Sequence, residues 1–392
     1  MASIFKAADI LLPKHNMDKW AVIACDQFTS QPEYWEEVRR ECGTYASAYR
    51  CILPEVYLGE ENTEVIANIH KAMQEYLDGD IFETYRNAYI CTERTLSSGR
   101  VRRGVVGCLD LEAYDFHDET DAPVRATEKT VMERIPPRMA VREHAPLDMS
   151  HVILFCDDER RELIEKIDTR KLPLVYDIRL MLDGGSVKGW LLTGSELERF
   201  ESALQAYENR KGDMIYAVGD GNHSLASAKT VYEQSGQKDH PSRYALVELE
   251  NVYDPVQAFE PIHRIIRDVD PEHLIAEMKK AGWKAGAGVR WITKDANGEL
   301  VYTGKLVLAD LQGFLDDYIL QYGGELDYIH GEDTLRQLVR KGSGREAGFL
   351  LQPVTNYGFF GHIAASGVYP RKTFSIGHAN DKRYYLETRD IR

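Results

Sequence analysis

The sequence predicts an α/β or α+β protein in which mixed sheets carry flanking helices. Three observations lead there. Short apolar runs of strand length recur, such as "WAVIAC" and "HVILFC". Amphipathic stretches bounded by cap and stop signals lie between them, as in "NTEVIANIHKAMQEYLDGD". The two kinds of segment do not alternate with the strict rhythm of a parallel βαβ protein. At 392 residues the chain is long enough for two or three domains. Changes of pattern place an N-terminal α/β domain at 1–120, a central domain at 121–290 and a C-terminal α/β region at 291–392.

Trp20 to Cys25 reads as a buried strand. Ser30, three residues before Glu33 and close to Pro32, has the spacing of a capping box that opens a helix. That leaves Asp26, Gln27, Phe28 and Thr29 on a strand-to-helix loop. A second helix begins at Asn62 or Thr63 and stops at Gly79. Two β-rich runs flank "SSGRVRR" and predict a hairpin. The polar stretch that follows holds Arg125, Lys129, Arg134, Arg138 and Arg142. "SHVILFCDDERRELIEKI" reads as a strand and then a helix with an acidic first turn. "LVYDIRLMLDGG" and "SVKGWLLTG" read as a strand pair, followed by a helix with Ser195 and Glu198 as a second capping box. A strand at 214–218, a turn through Gly219–Gly221 and a helix to about Gln234 form the central unit. "YALVELENVYD" is a further strand and "PEHLIAEMKKAGW" a further helix. The last hundred residues alternate "LVYTGKLVLADL", the helix "GEDTLRQLVRKG", the strand "EAGFLLQPV" and a basic, aromatic tail.

With 43% hydrophobic and 28% charged residues the composition is that of an ordinary globular protein. A net charge of −15 argues against a broad face for nucleic acid or anionic membrane. Apolar runs are too short to span a bilayer, and the N-terminus lacks a basic segment followed by a long apolar one. A cytoplasmic protein is expected, without a membrane or nucleic-acid partner. The six cysteines form no C-x-x-C or zinc spacing, so reduced, buried thiols are expected. Cys25 stands out because it adjoins Asp26.

A strand that enters a helix through Gly-x-Gly presents unpaired N–H groups at the positive end of the helix dipole. Such a turn receives anions, phosphates above all. Gly219 and Gly221 would allow the close approach, and His223 would donate to phosphate or work as an acid or base. The plain alternative is that Asp220 or Asn222 simply caps the helix. Asp26, on its own strand-to-helix loop, is suited to Mg²⁺ or to orienting a hydroxyl. Arg125, Lys129, Arg138 and Arg142 are candidates for a clamp on phosphate or carboxylate, with a solvated basic face as the alternative. "EPIHRII" adds His263 and Arg264. The tail adds Arg371, Lys372, His378, Lys382 and Arg383 as an anion-binding wall, with a solvated basic tail as the alternative.

"GDGNHSLASAK", "CDQFTSQPEYW", "RRGVVGCLDLEAYDF", "PIHRII" and "YPRKTFSIG" resemble, in this order, the domain of unknown function 1015 family. The resemblance spans nearly the whole chain. The family's usual A-D-G-H-H-R is G-D-G-N-H-S here: Asp220, Gly221 and His223 match, while Asn222 replaces a His and Ser224 an Arg. The turn is also similar to the phosphate-binding turn of the ParB/sulfiredoxin-like superfamily, which includes ADP-dependent free-serine kinases. That resemblance implies phosphate contacts from Gly221, Asn222 and His223, with Ser224 beside them and Asp220 near Mg²⁺ or the acceptor hydroxyl. It implies ATP or ADP as cofactor and Arg138, Arg142 or Lys229 in place of the missing Arg. Two classes of function are expected from it: a nucleotide-dependent phosphotransferase acting on a small metabolite, and a regulatory protein that binds a nucleotide or phosphorylated metabolite without turnover.

Overall fold

The computed structural model describes residues 3–58, 62–302, 307–370 and 372–392. The chain is a mixed α/β protein that divides into two compact units. One comprises residues 1–257 together with 378–392, the other residues 258–377. This division differs from the cuts expected near 120 and 290. The reason at 120 is plain, since strands on both sides of that position belong to one sheet.

In the first unit that sheet has ten strands among the described residues. Val101–Asp110 lies well inside it, paired antiparallel with Ile90–Thr95 on one side and Tyr244–Asn251 on the other. Its residues are buried almost without a break, the pattern of a strand covered on both faces. The expected hairpin is present, with Thr95 opposite Val101, and so is the pair of Leu174–Arg179 with Ser186–Leu191. Beyond Tyr244–Asn251 come Ile153–Cys156, Tyr216–Asp220 and Val124–Ala126. The last two run parallel, and Ile153 lies opposite Asp220. The C-terminal residues return to this unit. Tyr384–Tyr385 pairs with Val22–Ile23, and Thr388–Asp390 lies between Ala8–Pro13 and Leu147–Met149.

The helix Pro32–Cys42 buries Trp35, Val38 and Cys42, one stripe at helical spacing. Thr63–Asp78 buries Ile69 and Met73 in the same way. The two capping boxes do not form: the helices start from Gln31 and Thr193, neither with a side-chain cap. The run Trp20–Cys25 is also less extended than expected, since Trp20 ends a short helix and the strand covers Val22–Ile23. No helix follows Cys156. Asp158 accepts the N–H groups of Glu162 and Leu163 at 2.7 and 2.8 Å, and Arg161 has φ +53°, so local side-chain bonds hold the segment as a loop.

In the second unit a sheet of six strands among the described residues includes Phe259–Arg267, which pairs antiparallel with Glu325–His330, Ala347–Leu350 and Phe374–Ile376. The helices Pro271–Lys280 and Val307–Tyr322 supply Leu274, Met278, Leu311 and Leu315 to its core. No helix among the described residues is long and apolar enough to cross a membrane. All six cysteines are free thiols, five of them buried.

Candidate functional site

The strand Tyr216–Asp220 runs directly into the helix Asn222–Ser235 through Gly221. Gly221 has φ +78°, and a Cβ there would sit 3.0 Å from Val152 Cγ2, so both backbone and space call for glycine. Gly219 has a different task from the turn role expected for it. It lies in the strand, where an added Cβ would come within 2.4 Å of the Phe155 ring. Its missing side chain is filled by Phe155.

The helix has no side-chain cap. The Asp220 carboxylate accepts the Gly221 N–H at 3.0 Å. The Asn222 side chain turns to Thr127, accepting its N–H at 3.4 Å, and Thr127 in turn donates to the Val218 carbonyl. The amides of Asn222, His223 and Ser224 have no acceptor among the described residues, whereas that of Leu225 closes on the Gly221 carbonyl. Three donors at the positive end of the dipole are thus left open.

His223 Nε2 accepts the Val131 N–H at 3.1 Å, which places the proton of the neutral ring on Nδ1. Burial, reinforced by the positive charges of Arg138 and Arg134, lowers its pKa to about 4, with Asp26 opposing. The ring is therefore neutral at physiological pH and offers Nδ1–H as a donor. The Ser224 hydroxyl has no hydrogen-bond partner among the described residues, while Ser227 Oγ donates to the His223 carbonyl.

Asp26 and Asp220 share one cation. Lys382 Nζ lies 3.2 Å from Asp220, and its charge also acts on Asp26. Asp26 further faces His151 Nε2 at 3.5 Å and accepts from Gln27 at 2.9 Å. Burial by itself would raise the Asp26 carboxyl; His151, Gln27 and Lys382 overcome it and hold the group well below the usual carboxylate range. Behind this pair a chain of contacts continues to Tyr385, whose hydroxyl is 2.8 Å from His151 Nδ1 and 3.1 Å from Cys25 Sγ. Burial and the charge of Asp26 push the Cys25 thiol up to about 11, against the Tyr385 hydrogen bond. It is not a thiolate nucleophile at neutral pH.

The expected clamp is closed on itself. Arg138 pairs with Glu55, and Arg142 binds the fully buried Asp148 at 2.7 Å. Lys129 is held by Asp118 at 3.2 Å on an exposed surface, and Lys229 by Glu233 and the Leu111 carbonyl. Arg125 donates to the Ala122 carbonyl. Arg383 is buried between Glu248 and Glu387, a structural role. His263 and Arg264 belong to the second unit, buried in the Phe259–Arg267 strand, where His263 accepts the Leu351 N–H. Lys372 belongs there too, and Arg371 lies outside the described residues. Among the described cations of the tail, Lys382 alone pairs with the turn. Sequence reasoning missed His151, Glu55 and Tyr385. Each sits in a stretch with no motif, and it is the fold that brings them together.

Among the described residues no three His, Cys, Asp or Glu side chains are gathered to hold a metal ion. Asp220, already paired with Lys382, and Asp26 do not form an all-protein cage. Mg²⁺ commonly takes one or two carboxylates beside its phosphate and water ligands, and Asp220 and Asp26 are the carboxylates that would be offered to it here.

Among solved structures the chain is similar to a free serine kinase variant in complex with ADP. That match has 11% identity and a TM-score of 0.42, and covers 70% of this chain and 97% of that one. A conserved hypothetical protein from Pyrococcus furiosus matches at 11% identity over 71% of this chain and 92% of that one, with a TM-score of 0.39. SbnI from Staphylococcus aureus, truncated at its C-terminus, matches at 10% identity over 72% and 81%, with a TM-score of 0.37. These likenesses are too distant to carry an argument about chemistry. No curated protein matches the chain by sequence. The pattern of one family does match, over residues 5–388, and the chain belongs to that family, DUF1015, described as a protein of unknown function.

Proposed function

We propose that the protein binds a nucleotide by its phosphates at the first turn of the Asn222–Ser235 helix and transfers phosphate to a small metabolite in the cytoplasm. The observation that carries this reading is the uncapped turn: left-handed Gly221, then three amides with no acceptor among the described residues. The similarity of the turn's sequence to the ParB/sulfiredoxin-like phosphate turn points the same way. Gly221 lets the phosphate approach the backbone, the amides of residues 222–224 bind its oxygens, and His223 donates Nδ1–H. Lys382 supplies the positive charge at the mouth. Asp220 and Asp26 would hold Mg²⁺ brought with the nucleotide, which neutralises charge on the transferring phosphate. Asp26 also orients the acceptor hydroxyl.

The closed pairs Arg138–Glu55 and Arg142–Asp148 favour a second reading, in which the site binds nucleotide or phosphometabolite as a regulator and no transfer follows. Phosphoryl transfer needs cations on the moving charge, and these two already have partners.

The test is a thermal-shift panel of ATP, ADP, CTP, GTP and pyrophosphate with Mg²⁺, on wild type and His223→Ala. A ligand at a hundred times its dissociation constant stabilises the native state by about 2.7 kcal/mol. Stabilisation by a nucleotide, lost in the variant, is expected. A folded wild type that responds to none of the five would overturn the proposal.

A further inference from the structure

A cavity of about 90 Å³ adjoins the turn, with an aliphatic wall that includes Leu53, Met73, Val141 and Met149. One water needs roughly 10–15 Å³ of such space, so the cavity holds about six non-hydrogen atoms. Arg138, Arg142 and Glu55 line it as well. Arg138 and Glu55 pair with each other. Arg142 is different. It binds Asp148 through Nη1 alone, and its Nε and Nη2 are buried with no hydrogen-bond partner among the described residues. Asp148 is moreover shared. Its other oxygen lies 4.0 Å from Arg389 and accepts the Leu246 N–H at 2.8 Å. Three guanidinium groups thus face two carboxylates, and one positive charge is left over.

We propose that this cavity binds a small aliphatic monocarboxylate, its carboxylate on the Nε–Nη2 edge of Arg142 and its carbon body among Leu53, Val141 and Met149. The proposal concerns binding alone and does not depend on phosphate at the turn. A guanidinium N–H buried without an acceptor is costly, and two neighbouring N–H groups on one edge fit the two oxygens of a carboxylate. A single negative charge there offsets the surplus. A neutral amide or alcohol of the same shape would leave that surplus unmet. A second negative charge on the ligand would lie among aliphatic side chains, where nothing replaces its hydration. A bare inorganic anion would meet Arg142 but leave the aliphatic wall without a partner.

The experiment is a titration of the full chain with 2-methylpropanoate and with its neutral isostere 2-methylpropanamide, followed by NMR of the ligand methyl groups at neutral pH. The carboxylate is expected to bind at least about tenfold more tightly than the amide. Arg142→Lys keeps a positive charge beside Asp148 but removes the fork. It should weaken the carboxylate at least about tenfold and leave the amide as it was. Val141→Phe fills the aliphatic part while Arg142 stays in place, and serves if the lysine variant does not fold. It should weaken both ligands at least about tenfold. Failure of the carboxylate to bind wild type would overturn the proposal. So would equal binding of the amide, or carboxylate binding that survives both substitutions.

Discussion

Replacing His223 with asparagine removes a histidine that the fold holds neutral, and the consequence is readable in the pH dependence of stability. The folded pKa is about 4 and the unfolded value 6.5, burial being the main cause and Arg138 and Arg134 the next. The unfolded chain therefore takes up the proton first. Stability from this group is intact above pH 6.5 and is lost progressively as the pH falls toward 4. Integrated down to about pH 5, the loss is about 2 kcal/mol, and complete protonation would cost about 3 kcal/mol. Urea unfolding of wild type and His223→Asn at neutral pH and at about pH 5 isolates the contribution, because other titrating groups are common to both proteins. The variant should lose about 2 kcal/mol less than wild type over that interval. Identical losses would refute the account of a half-buried, neutral imidazole, and with it the Nδ1–H donor assigned to the turn.

Arg142→Met leaves the fully buried Asp148 with Arg389 at 4.0 Å and the Leu246 N–H. Denaturant titration should show a loss of about 3 kcal/mol, and less than about 1 kcal/mol would contradict a buried pair. Gly221→Ala forces a left-handed residue to carry a Cβ 3.0 Å from Val152. The expected loss is about 1–2 kcal/mol, and a neutral outcome would show that the turn relaxes. Cys25, with its thiol raised to about 11, should react with iodoacetamide at mildly alkaline pH at least about tenfold more slowly than a free thiol. Mass spectrometry of the native protein finding rapid modification of this half-buried residue would contradict the raised thiol.

Much of the site's framework is legible in the sequence because it is local. A strand, a glycine that must go left-handed and a helix are written in consecutive residues, and the hairpin after Ile90 announces itself by its turn. The rest depends on contacts far apart in the chain. His151 and Tyr385 meet across 234 positions, and Lys382 reaches Asp220 because the C-terminus returns to the first unit and pairs its strands there. No spacing rule expresses that. Local signals also mislead where side chains compete with the backbone. The acidic start after Cys156 resembles a helix N-terminus, yet Asp158 uses those amides to close a loop. Among the arginines after residue 125 the sequence shows charge but not partners. Glu55 and Asp148, which neutralise two of them, are carboxylates without a motif.

The open amides at the head of the Asn222–Ser235 helix are the centre of the account, and Ser224→Asp tests them directly. A carboxylate at the third helical position should occupy the site that phosphate would take, while interacting favourably with the helix dipole by about 0.3–1 kcal/mol. Calorimetric titration of wild type and Ser224→Asp with inorganic pyrophosphate is the measurement. The account predicts binding to wild type, none to the variant, and a variant at least as stable as its parent. Equal pyrophosphate binding by both would contradict it.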